Sequence, residues 1–136
     1  MSSDPCVPCT ILLLEDEPLI LMDLEYAVQD YGCSVLSAAS CGEALDHLER
    51  DAASITVAVL DVSLGGDATC LPVARELSRR GIPFILHSGD LDRHDETIRG
   101  LNADLIAKPA PADKVIAGAI AYSRGMDPED VRAAAE

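Results

Sequence analysis

A chain of 136 residues, 49% of them apolar, suits a single domain with its own core and excludes disorder. A formal net charge of −14 repels phosphate backbones and anionic lipid, which sets nucleic-acid and membrane-surface binding aside. The start, MSSDPCVPC, lacks a signal-peptide pattern and no apolar run approaches a membrane span, so the expected location is cytoplasmic.

Residues 1–9 read as a flexible N-terminal arm. Cys6 and Cys9 within it form a C-x-x-C that precedes a strand. A thioredoxin-type motif instead follows a strand and opens a helix, and a zinc site needs two more ligands at suitable spacing. With Cys33, Cys41 and Cys70 the cysteines are odd in number and scattered, which argues for free thiols.

The first strand is predicted over 10–15, where TILLLE rises through apolar residues into Glu15, Asp16 and Glu17. A helix over 18–31 follows, with Pro18 in its first turn and Gly32 just past its end. On a helical wheel Ile20, Leu21, Leu24, Ala27, Val28 and Tyr31 make one broad core face. Leu19, Met22 and Tyr26 make a second stripe on roughly the opposite side. That stripe either folds under the last helix or docks a partner, and a Met and a Tyr among acids suit an adaptable interface.

A strand over 34–39 and a helix over 41–50, N-capped by Ser40, come next. The third strand, over 55–60, runs straight into Asp61. A helix over 69–80 ends at Gly81, with Pro72 tolerable only in its first turn. A fourth strand over 82–87 leads to Ser88, a weak helix covers 92–99, and a short fifth strand over 104–107 leads to Lys108. The last main helix covers 112–123, and residues 124–136 form a tail or short helix opened by Asp127 and Pro128.

Five strands alternating with five helices predict an α/β fold: a parallel sheet, doubly wound, with both faces covered. Ligands of such sheets bind beyond the carboxyl ends of the strands, and Glu15, Asp16, Asp61, Ser88 and Lys108 all fall there. Like charges crowded at one edge raise one another's pKa, so something positive belongs among them. Clustered carboxylates favour Mg²⁺. An Asp beside that cation can accept a phosphoryl group, with a hydroxyl and an ammonium to hold its oxygens.

The motifs LLLEDEPLI, VLDVSLGG, ILHSG and IAKPA, in this order, resemble those of response-regulator receiver domains of bacterial two-component signalling. The likeness covers 10–123. Asp16, Asp61, Ser88 and Lys108 stand 45, 27 and 20 residues apart, as in that family. Each motif is weak alone and the set is specific. The resemblance implies a flavodoxin-like sheet of order 2-1-3-4-5. It implies Asp61 as phospho-acceptor, and Mg²⁺ held by Asp16, Asp61 and the Ser63 carbonyl, with Glu15 acting through water. Ser88 and Lys108 would bind the phosphoryl group, with a cis bond before Pro109. The partners would be a sensor histidine kinase or phosphotransfer protein, facing the helix that carries Leu19, Met22 and Tyr26, and an output protein.

Glu15 stands where the family often has Asp. Leu105 occupies the position of the family's aromatic switch residue, so a ring swing cannot operate as such. GIPFILHSGD is similar to a subgroup of stand-alone receivers, and the residues after Ser123 are too few for a DNA-binding module. The expectation is therefore a single-domain regulator that signals by protein contact or acts as a phosphate sink, and that is not an enzyme beyond slow loss of its own phosphoryl group. Two alternatives stay open. A degenerate receiver would bind partners without phosphorylation. A Mg-dependent Asp-nucleophile phosphatase of the haloacid-dehalogenase type would place a second Asp where Ser63 stands.

Overall fold

Apolar runs long enough for short strands alternate with amphipathic stretches, and the computed structural model, which describes residues 9–64, 69–89, 100, 101 and 103–135, folds them accordingly. In chain order come β1 (Thr10–Leu14), α1 (Pro18–Asp30), β2 (Ser34–Ala38), α2 (Cys41–Asp51) and a 3-10 turn (Ala52–Ser54). Then follow β3 (Val57–Asp61), α3 (Leu71–Arg80), β4 (Phe84–Ser88), β5 (Leu105–Ala107), α4 (Ala112–Arg124) and α5 (Pro128–Ala135). The strands pair in parallel in the order β2-β1-β3-β4-β5, the doubly wound arrangement expected. The helix expected over 92–99 and most of the N-terminal arm lie outside the described residues, whereas Cys9, assigned to that arm, is buried.

The central strands are apolar throughout because both their faces are covered. Ile11 and Leu13 of β1, Val57 and Val59 of β3 and Ile85 of β4 pack with α1 and α4. Leu12, Leu14, Ala58, Leu60 and Leu86 point the other way, into a second cluster with α2 and α3. Each fully buried Leu, Ile or Val contributes about 1.5–3 kcal/mol relative to exposure.

Local chemistry sets the ends. Ser40 Oγ accepts from the Glu43 N–H at 3.2 Å, and Glu43 Oε1 accepts from the Ala39 N–H at 2.6 Å, a reciprocal cap on α2. Gly32 and Gly81 take φ of 77° and 73° after α1 and α3, a left-handed conformation that costs a Gly little. Three boundaries shift from expectation for identifiable reasons. β3 begins at Val57 because the Ile55 N–H closes the 3-10 turn onto Ala52 O. α3 begins at Leu71 because Thr69 bridges to Ser63 and its hydroxyl accepts from the Leu71 N–H. β4 begins at Phe84 because the Ile82 N–H is tied to Leu77 O at the end of α3.

The terminal helix α5 buries Val131 in the α1/α4 layer. Asp113 joins three helices: it accepts from the Tyr31 hydroxyl at 2.7 Å and pairs with Arg132 at 3.1 Å. Among the described residues, no helix is long and apolar enough to cross a membrane.

Candidate functional site: an acidic cluster at the strand ends

Register brings the candidate residues together. Leu14 lies opposite Leu60, so Glu15 leaves β1 beside Asp61, the last residue of β3. Asp61 pairs with His87, and Ser88 pairs with Ala107. Lys108 follows directly, its N–H donating to Ser88 O at 2.8 Å. Four adjacent strands thus deliver polar residues to one edge, and the bond between Lys108 and Pro109 is cis.

Lys108 Nζ donates to Asp61 Oδ1 at 3.0 Å and lies 3.4 Å from Glu15 Oε1. Both acids are almost wholly buried, at 4% and 1% exposure, while Asp16 is exposed. One carboxylate oxygen from each of Glu15, Asp16 and Asp61 lies within 4.8 Å of the others. The second oxygen of Glu15 accepts from the Glu17 N–H, which fixes its carboxylate.

The electrostatics follow from this packing. Burial, and then the Glu15 charge, raise the Asp61 pKa from 3.8 to about 7, although Lys108 pulls it down. Burial works against the Lys108 ammonium, but the hydrogen bond and charge of Asp61, with Glu15, outweigh it and hold that pKa up. Three acids face one lysine here, so the cluster retains negative charge that a cation would offset.

Ser88 is fully buried, and its hydroxyl has no hydrogen-bond partner among the described residues. Ser63 is exposed just past β3, bridged to Thr69. Leu105 is half-buried on β5, opposite Leu86, and packs into the α2/α3 layer. On α1, Leu24, Ala27 and Val28 are buried, while Leu19, Met22 and Tyr26 remain 69%, 41% and 61% exposed. The stripe is therefore not folded under α4.

His87 was not singled out from the sequence. Both its ring nitrogens are buried without partners among the described residues, and it lines a cleft of about 180 Å³ with Ile20, Leu24 and Lys108. Burial, and then the Lys108 charge, lower its pKa to about 4, which keeps the ring neutral. The signal was one polar residue inside the apolar run FILH.

No family model and no curated protein matches the chain. Solved structures do. SdrG from Sphingomonas melonis Fr1 is 33% identical, with 86% of this chain and 97% of that one covered at a TM-score of 0.70. A response regulator receiver domain protein from Clostridium thermocellum is 26% identical, with 86% and 96% covered at 0.71. A response regulator receiver protein from Sinorhizobium medicae WSM419 is 22% identical, with 88% and 98% covered at 0.74.

Proposed function

We propose that this chain, which belongs to the response-regulator receiver domains, accepts a phosphoryl group on Asp61 from a sensor histidine kinase or a phosphotransfer protein. The observation that carries the reading is the Lys108 ammonium shared by Asp61 and Glu15 at an edge where three carboxylates converge.

The donor set fits a hard divalent cation. It is all oxygen, its atoms lie close enough to share one ion, and one lysine leaves it undercompensated. Asp16, Asp61 and the Ser63 carbonyl would hold Mg²⁺ directly, with Glu15 acting through water. Bound there, Mg²⁺ would offset the charge of the acids and of the donor's phosphoryl oxygens.

The chain's own groups do the rest. An Asp61 carboxylate oxygen forms the new bond to phosphorus as the bond to the donor's imidazole nitrogen breaks, and the leaving nitrogen keeps the electron pair. Lys108, already against Asp61, is positioned to follow the charge onto the phosphoryl oxygens. The Ser88 hydroxyl has no competing partner among the described residues, so it is free to donate to one of them. This is catalysis by position and charge, as phosphoryl transfer requires. With Leu105 in place of an aromatic, the signal runs through Ser88, Lys108 and the residues between them. Output is then contact with a further protein, or simple storage of phosphate. Leu19, Met22 and Tyr26 form the surface on which the kinase docks.

The test is incubation with a small phosphodonor, with and without Mg²⁺, read by intact mass. One phosphoryl group should be gained only when the cation is present. Equal gain in its absence, or none under either condition, overturns the reading.

A further inference from the structure

At the end of the sheet away from the acidic site, two cysteines meet. Cys9 precedes β1 and Cys33 precedes β2. These strands run parallel with Thr10 opposite Ser34, where the Ser34 N–H donates to Cys9 O at 2.8 Å, so Cys9 and Cys33 each sit one residue before the first pair of the ladder. Neighbouring strands lie about 4.8 Å apart, inside the roughly 4.4–6.8 Å between Cα atoms that a disulfide spans. The Cys33 thiol, which donates to Tyr31 O at 3.9 Å, lies close enough to Cys9 to lower its pKa. Both pack into the α1/α4 layer, and neither is in a disulfide.

We propose that Cys9 and Cys33 form an oxidisable dithiol, which a hydroperoxide converts into a disulfide stapling β1 to β2.

Several groups prepare Cys9 for the nucleophilic role. The neighbouring Cys33 thiol lowers its pKa most and burial opposes that. The Thr56 hydroxyl and the Arg124 charge lower it further, to about 7 from 9.0. The downward shift favours the thiolate, which is the reactive form. Cys9 is 5% exposed and Cys33 is the more open of the two, so the oxidant has to be as small as hydrogen peroxide.

The Cys9 sulfur attacks one peroxide oxygen, the O–O bond breaks, and the departing hydroxide leaves as water after taking a proton. Cys9 is then a sulfenic acid, oxidised by two electrons. The Cys33 sulfur gives up its proton and displaces the hydroxyl group, forming the S–S bond and a second water. In sum, two thiols and one hydrogen peroxide yield one disulfide and two waters.

The decisive experiment treats the reduced full chain with equimolar hydrogen peroxide, blocks remaining thiols by alkylation and maps the non-reduced peptides. The expected product is a Cys9–Cys33 cross-linked peptide with two hydrogens lost, reversed by a thiol reductant, and a higher Tm than the reduced chain. Cys6→Ala should retain the cross-link. Cys33→Ser should lose it and leave a Cys9 sulfenic acid that a dimedone probe traps, a readout that survives if Cys9 variants fail to fold. A Cys6–Cys9 bond, cross-linking that persists in Cys33→Ser, or thiols left unmodified by peroxide would each overturn the assignment.

Discussion

With its carboxyl buried and Glu15 beside it, Asp61 carries a pKa near 7 in the folded chain against an ordinary 3.8, even with Lys108 at 3.0 Å. A carboxyl raised in this way binds its proton more tightly folded than unfolded. Its contribution to stability is fully present below about pH 4 and is lost as pH rises through 7. Asp61→Asn removes that loss. In metal-free buffer the variant should therefore unfold at higher denaturant than the wild type at pH 8, with the gap narrowing at pH 5 and closing only below about pH 4. The ceiling on the gain is about 4 kcal/mol, since a pKa unit is worth about 1.4 kcal/mol. A variant less stable than the wild type at pH 8 would contradict this. Lys108→Ala does the reverse, leaving two buried acids without their cation. Breaking a buried pair from one side costs roughly 3–5 kcal/mol, and the lower end applies because Lys108 is 24% exposed. An unchanged denaturation midpoint at pH 8 would remove Lys108 from the account. Asp61, Glu15 and Lys108 were legible as strand ends in the sequence. His87, and the meeting of Cys9 with Cys33, were not, because each depends on which strands become neighbours.

Helix α1 serves two surfaces at once. Its Leu24, Ala27 and Val28 are spent on the core, while Leu19, Met22 and Tyr26 face outward. Helical spacing alone separated these faces, since side chains three and four apart share a side. What it could not decide was whether α4 covers the outer stripe. Met22→Ala and Tyr26→Ala should slow phosphoryl transfer from a cognate kinase at least several-fold and leave labelling by a small phosphodonor within twofold. Equal losses with both donors would instead mark a damaged fold or site, and unchanged kinase transfer would leave the stripe without a docking role. Helix α2 depends on its cap. Ser40→Ala removes the acceptor of the Glu43 N–H and should cost about 1 kcal/mol in chemical denaturation. No loss there would mean that Glu43 alone holds the turn. The boundaries that moved furthest, at Val57, Leu71 and Phe84, did so where a backbone N–H found a local acceptor. Such bonds depend on turn geometry, which apolar periodicity does not encode.

For the molecule as a whole, the alternation of elements required a parallel sheet covered on both faces, and the two apolar layers follow from side chains alternating along β1 and β3. The strand order came from family likeness rather than from periodicity, because no single residue names its neighbour across a sheet. What the order achieves is convergence. Glu15 and Lys108, at opposite ends of the chain, meet across Asp61. The central claim is that this convergence makes Asp61 the phosphoryl acceptor. The most direct test is peptide mapping after labelling with a small phosphodonor and Mg²⁺, with borohydride reduction to trap the acyl phosphate. The account predicts the reduced, trapped residue at position 61 and none in Asp61→Asn. Trapping at Glu15 or Asp16, or labelling of Asp61→Asn at the wild-type rate, would contradict it.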